Sequence, residues 1–433
     1  MTAALQWPLW RRVVFRFFFV YLLLQIAPWN WVNVIPGVHY LTAWMPTINN
    51  WAVQNANTHL FHVRDTLVPE NGSGDTSYAW SELWLDLAVA ALACVVWSLL
   101  DRRRAAYVRL DYWLRTIVRY YLAIAALSYG IIKVFALQMF FPSLSQLATP
   151  LGDLLPMRFS WLFIGYSTPY QVFAGLMEFG AGLLLLNRRT ITLGLFAATG
   201  AFLNVVMINL AYDVPVKLYS MHLLFCCVYL LLHDARRLTG FLILNRAAPA
   251  NVDWEPSATA GRQRYARLGA KALFVLFFLI LPFQNSWSRS GALKRSRPAR
   301  PFAAGVYDVR RYVLNGDTVP ALLTDSLRWR DVIIDNQQSA SVNTRDSLFQ
   351  QRYRRGYIRY RADTVRHMMA AWKTSPALDS TWLFTMRYEI PDSSTIRFWG
   401  KVRSDSLYVE LVRINRHFQL TERQFHWLSE YNR

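Results

Sequence analysis

Apolar residues in this chain gather into helix-length runs over residues 11–28, 82–104, 113–137, 171–186, 191–210, 216–232 and 268–283, and beyond residue 301 they alternate with polar ones. Each run approaches the roughly 20 residues that a helix needs to cross a bilayer core, so the pattern predicts about seven transmembrane helices. The first run follows Arg11 and Arg12. No small-x-small cleavage site comes after it, and Trp29 and Trp31 form an interfacial belt, which reads as a retained helix rather than a signal peptide. A long connection over residues 30–80 follows, ending in the turn-dense ENGSGDTS of residues 70–77. Its part from His39 to His62 has Trp44, Trp51, Leu60 and Phe61 among polar residues and reads as a helix lying at the interface. His59 and His62 lack a carboxylate or cysteine at ligand spacing and read as interfacial histidines, so no metal is expected.

After the linker of residues 288–301 the segments 305–314, 328–336, 357–363, 381–390, 395–402 and 406–414 alternate with period two and are rich in aromatic and β-branched residues. Asp followed by Ser or Thr recurs between or beside them at Asp317, Asp325, Asp346, Asp363, Asp379, Asp392 and Asp405. These residues hydrogen-bond their own backbone in turns, so an antiparallel meander is expected. A meander of about eight strands must close or leave sticky edges. The expectation is therefore a small barrel, lipocalin-like in architecture, with a side-chain-filled interior and with Phe425 and Trp427 plugging one end. The fold class is thus an α-helical polytopic membrane bundle followed by an extracytoplasmic antiparallel β-domain. Residues 1–112 hold two helices and a long outer loop, 113–238 a four-helix core, 239–287 a cytoplasmic linker and the seventh helix, and 302–433 the β-domain.

Charge orients this scheme. The formal net charge of +20 is concentrated partly at Arg102–Arg104, Arg188–Arg189, Arg236–Arg237 and Arg262, Arg264 and Arg267, all on one side if the N-terminus is cytoplasmic. An odd number of helices then places the C-terminal domain outside a bacterial cytoplasmic membrane. The excess of basic residues is thus accounted for by topology, and no nucleic-acid partner is expected. Cys94, Cys226 and Cys227 all lie in apolar runs and read as small hydrophobes, not as a redox pair or a disulfide scaffold.

Ionisable residues at membrane depth cost about 2.5–3.5 kcal/mol each and so face a bundle interior, a partner or water. Lys133, Glu178 and His222 form the candidate intramembrane site. Asp213 and Lys217 in the YDVPVK loop, with Glu82 and Asp86 one helical turn apart, form a second candidate group at the outer end. Two readings of the deep group stand side by side. Glu178 pairs with Lys133 or Arg119 and holds helices together, or Glu178, Asp213 and His222 carry protons or bind the carbonyls of a quinone-like headgroup.

The runs RYYLAIAALSYGIIKVF (119–135) and GLMEFGAGLLLLNRR (175–189), followed by a glycine-opened helix and a final helix closed by basic residues, resemble the DoxX-like membrane family, which includes DoxX, DoxD and MauE-type proteins. The resemblance covers roughly residues 113–238. It implies that Lys133 and Glu178 correspond to the family's helix-end lysine and in-helix glutamate. It also implies an association with quinone-linked redox chemistry, since family members include a subunit of thiosulfate:quinone oxidoreduction and a maturation factor for an amine dehydrogenase. A quinone is therefore the cofactor to consider; haem, nucleotide and metal motifs are lacking. The alternative is a non-enzymatic assembly or interaction protein whose outer β-domain binds a membrane or extracytoplasmic partner or a lipid-like ligand. Whether the chain is an enzyme stays open.

Overall fold

The structure, a computed structural model, describes residues 6–69, 71–247, 261–295, 301–322, 324–336, 338–349, 353, 355–373, 381–423 and 425–430. Asp379 and the linker residues 296–300 lie outside the described residues. The chain divides into two compact units, one of residues 1–139 and 167–292, the other of residues 140–166 and 293–433.

The first unit is a helical bundle. Its membrane-length helices are α1 (Leu9–Ile26), α2 (Ser77–Leu100), α3 (Val108–Val134), α4 (Thr168–Leu186), α5 (Ile191–Ala211), α6 (Lys217–His233) and α7, which runs as Gly261–Val275, a π turn at Leu276–Ile280, and Leu281–Arg295. Six described spans are long and apolar enough to cross a membrane, and a seventh results if α6 is joined to Ala235–Leu242, bent from it by 78°. Large apolar side chains such as Leu92, Val95, Leu99, Phe173 and Leu193 are exposed on the bundle surface, as a hydrocarbon solvent requires. The chain is a multi-pass membrane protein. Residues 39–61 form short helices with Trp44, Trp51 and Leu60 exposed.

Helices α3 and α4 pack unusually closely, and glycines permit it. A Cβ on Gly130 would come within 2.5 Å of the Phe179 backbone nitrogen, and one on Gly175 within 2.7 Å of Val134 N. Gly182 likewise faces Leu127. Small residues let helix backbones approach where lipid supplies no hydrophobic drive for association. The two N-terminal helices are fastened to each other by Arg16 of α1, which is buried. Its guanidinium donates to the Tyr107 hydroxyl at 2.7 and 3.0 Å, to Ser98 Oγ at 2.8 Å and to the Asp101 carbonyl at 2.7 Å, the last at the end of α2 where the helix dipole favours a cation. α7 touches α3 through rings, Phe274 on Tyr120 at 4.8 Å and Phe283 on Phe135 at 4.9 Å.

The second unit is a closed barrel of eight antiparallel strands, β1 (Gly305–Leu314), β3 (Asp331–Ile334), β4 (Ser339–Val342), β5 (Gly356–Asp363), β6 (Met368–Lys373), β7 (Trp382–Glu389), β8 (Thr395–Val402) and β9 (Asp405–Ile414), with β2 (Asp317–Thr318) as a short hairpin on β1. β1 pairs with β3 through its first half and with β9 along its length, and a bulge between Val309 and Arg311 lets it turn from one neighbour to the other. Closure on β9 leaves the sheet without a free edge, the outcome that the edge-strand argument anticipates. Inward residues pack to a nearly solid interior, with a void of about 20 Å³. Phe425 and Trp427 do not plug the barrel; both are exposed. The plug is Phe302, 2% exposed, with its ring 4.9 Å from Tyr388 and 5.4 Å from Tyr360 and Phe398. The segment leading from the linker into β1 delivers this ring more directly than the tail beyond β9 does.

Residues 140–166 belong to this unit. The short helix Leu144–Leu147 lies on the outer face of the barrel, where Leu144 and Ala148 pack against Val306 and Ile333. A buried polar set fixes it there: Ser341 Oγ donates to Ser145 Oγ at 2.7 Å, Ser145 N to Asp335 at 3.3 Å, and Arg355 bonds Ser341 Oγ at 3.0 Å and Asp331 at 2.6 Å.

Four of the Asp-led turns form as the sequence predicts, at Asp325, Asp346, Asp363 and Asp392, whereas Asp317 and Asp405 open strands instead. Asp392 accepts from Ser394 N and Ser394 Oγ at 2.7 Å and from Thr395 N at 2.8 Å, and Asp363 accepts from Val365 and Arg366 amides at 2.9 Å. These bonds to its charged form hold the Asp392 carboxyl at about 2, below its ordinary 3.8. A carboxyl that titrates lower in the folded state stabilises its turn above the unfolded-state value, and that contribution is lost as pH falls through the folded-state one. Amide exchange at Ser394 and Thr395, corrected for intrinsic rate, is expected to rise between about pH 4 and pH 2 in the wild-type chain. In Asp392→Asn, whose side-chain oxygen still accepts, the rise should be absent.

Candidate functional site

Lys133 sits in the last turn of α3 and Glu178 in the middle of α4, both buried, and their side chains are hydrogen-bonded to each other as an ion pair. The glycine crossing explains the meeting. Gly175 and Gly182 lie three residues before and four after Glu178 on the face that touches α3, and Gly130 lies three residues before Lys133. Glu178 Oε2 has no hydrogen-bond partner.

His222 is not part of this pair. It projects from α6 into a separate cavity of about 740 Å³ bordered by α1, α2, α3, α6 and residues 72–74. Its ring lies among aromatic neighbours, 5.9 Å from Tyr21, 6.1 Å from Tyr121 and 6.1 Å from Phe225. The His222 Nε2 is shielded from solvent and has no hydrogen-bond partner. Tyr129, Tyr219, Gln25, Asn30, Ser73 and Glu82 add to the polar part of the lining. The volume and the mixture of aromatic walls with a few polar groups match those of small-molecule sites.

The second predicted group is dispersed around the same end of the bundle. Glu82 faces the cavity and accepts from Asn49, whereas Asp86 is buried one turn deeper and accepts from Gln25 Nε2 at 2.6 Å. Asp213 is exposed and pairs with Lys217 Nζ at 2.7 Å. Asp75, in the glycine-rich loop, accepts from the backbone amides of Lys217 and Leu218 at 2.9 Å and lies 3.6 Å from Lys217 Nζ. It thereby satisfies the opening amides of α6 with a negative charge, as helix N-termini prefer.

Sequence reasoning missed Asp75, Gln25 and the tyrosines. The sole signal for Asp75 was its place after Gly72, Ser73 and Gly74, and a Tyr in an apolar run reads as an interfacial anchor. Gln171 was also missed, but its role is structural: its amide closes on the Met139 backbone at 2.7 and 2.9 Å, so both polar ends are satisfied.

Burial makes the ion pair consequential. Removing one partner of a buried pair typically costs about 3–5 kcal/mol because a lone charge remains. Lys133→Met and Glu178→Gln are each expected to lower the thermal unfolding temperature of the detergent-solubilised protein, and Lys133→Met with Glu178→Leu should recover at least half of the loss. A double variant less stable than either single one would refute a pairing role.

No family model matches the chain, and no solved structure matches it. A stretch of 81 residues is 38% identical to the uncharacterised protein YwoB of Bacillus subtilis (strain 168). That stretch is 19% of this chain and 53% of YwoB, so the chain spans about half the length of this relative.

Proposed function

We propose that this multi-pass protein binds a quinone-class molecule in the cavity at His222 and serves quinone-linked redox chemistry as a binding and positioning component. The observation that carries the reading is the unpartnered Nε2 of His222 within an aromatic wall, in a cavity of about 740 Å³ inside an apolar bundle. A quinone ring would lie between Tyr21, Tyr121 and Phe225, and its carbonyl oxygens would accept from the imidazole and from tyrosine hydroxyls. The resemblance of residues 113–238 to the DoxX-like family supports the same assignment. Lys133 and Glu178 enter as the clamp that holds α3 against α4, not as ligands.

The arginines at Arg102–Arg104, Arg188–Arg189 and Arg236–Arg237 support a cytoplasmic basic end, with the cavity toward the outer end and the β-domain outside. A reporter active only outside the cytoplasm should give signal when fused after Arg433 and none when fused after Arg104. The reverse result overturns this orientation.

A second reading, a membrane-anchored assembly protein, draws on the barrel. Its interior is filled, so recognition by this domain would use its outer surface, where His367, Arg387, Tyr388 and Trp399 border an open depression of about 790 Å³.

Equilibrium binding of decylubiquinone to the purified protein decides the first reading. One lost hydrogen bond of about 1.4 kcal/mol is a factor of about ten in Kd. His222→Leu is expected to weaken binding about tenfold, with Glu178→Gln leaving affinity unchanged at a temperature where that variant is folded. No saturable binding by the wild-type protein, or equal affinity in His222→Leu, rules it out.

A further inference from the structure

At the end of the bundle remote from His222, the opening turns of α3 and α5, the turn Arg188–Thr190 between α4 and α5, and the end of α6 border a second cavity of about 440 Å³. Five arginines, Arg115, Arg119, Arg188, Arg189 and Arg237, line it, against one lining carboxylate, Asp234. Three of these side chains are held in fixed places. Arg188 donates to the Tyr112 hydroxyl at 2.7 Å, Arg115 pairs with Asp111 at 3.0 Å, and Arg237 pairs with Asp234 and donates to Thr192 Oγ1 at 3.1 Å.

Arg119 differs from an ordinary membrane-flanking arginine, which extends into water or headgroups. It is 9% exposed, its guanidinium lies 4.9 Å over the Tyr120 ring, and its Nε has no hydrogen-bond partner. Like charges gathered around a confined space repel one another, and a buried cation without a counter-charge is costly. An anion in the cavity relieves both. Guanidinium groups match the oxygens of a phosphate group by paired N–H···O bonds, and basic pockets between helices at the membrane interface suit phospholipid headgroups.

We propose that this cavity is an anion site for a phosphate group, supplied by an anionic phospholipid headgroup. The assignment is independent of the quinone reading, since the two cavities share no lining residue.

The test is native mass spectrometry of the full chain released from micelles containing equal phosphatidylglycerol and phosphatidylcholine, with inorganic phosphate titrated calorimetrically as a second arm. The wild-type protein should retain phosphatidylglycerol in preference. Arg119→Gln should lose at least tenfold of that retention and Arg119→Lys less. The pair Arg188→Gln with Arg189→Gln, exposed positions that leave the buried side chain in place, should lower retention in a chain that still unfolds cooperatively. Saturable binding of inorganic phosphate that the Arg119→Gln change abolishes, without lipid preference, would overturn the lipid source and support a soluble phosphate. Equal retention of both lipids by wild-type and variant chains, with no phosphate binding, overturns the site.

Discussion

The bundle depends on how closely α3 and α4 can approach. In a hydrocarbon solvent apolar side chains gain nothing by leaving lipid for protein, so association rests on contact geometry and on polar groups with nowhere else to go. Gly130, Gly175 and Gly182 supply the geometry, and Lys133 with Glu178 supplies the polar bond in the middle of the contact. Each needs the other. Without the glycines the two helices would stand too far apart for a short ion pair, and without the pair the glycine face would be one smooth groove with little to fix its register. The partnerless second oxygen of Glu178 is a cost that this arrangement carries within the buried contact.

The parts legible in the sequence are those where a local pattern and a global demand coincide. The apolar runs, the basic residues that close them and the Asp-led turns each declare an element without knowledge of its neighbours. Lys133 and Glu178 were legible for the same reason, because a charge inside an apolar run is conspicuous by itself. The cavity at His222 was not, since its walls come from Tyr21, Glu82, Tyr121 and His222, which sit in four helices and only helix packing makes neighbours. In the barrel, β4 (Ser339–Val342) and β6 (Met368–Lys373) escaped a segment reading: one is four residues of Ser, Ala and Val, and the other carries adjacent Met and Ala pairs that blur alternation. Phe302 escaped because it stands in a Pro and Ala stretch that reads as linker, while its function as a plug follows from barrel closure.

The two units solve the same problem by different means. The bundle is finished by solvent, with its outward apolar residues left for lipid, and its polar groups are gathered into internal pairs and cavities. The barrel is finished by topology: β1 meets β9, and the one added layer, Leu144–Leu147, is attached by bonds through Ser145, Ser341, Asp335 and Arg355. That patch shows why residues 140–166, though they interrupt the helical stretch between α3 and α4, fold as part of the β-unit.

The His222 cavity is composite in origin. One side comes from α3 and α6, which lie in the four-helix core, and the other from α1, α2 and the glycine-rich loop that precedes α2. A chain holding residues 108–238 alone would present the same imidazole on an open helix face, with no opposite wall. On the proposed reading the N-terminal helices would act as a specificity module: changes in Tyr21, Gln25 or Glu82 would retune what the site admits and leave the packing of α3 on α4 untouched, so ligand choice and bundle integrity could diverge independently within one chain.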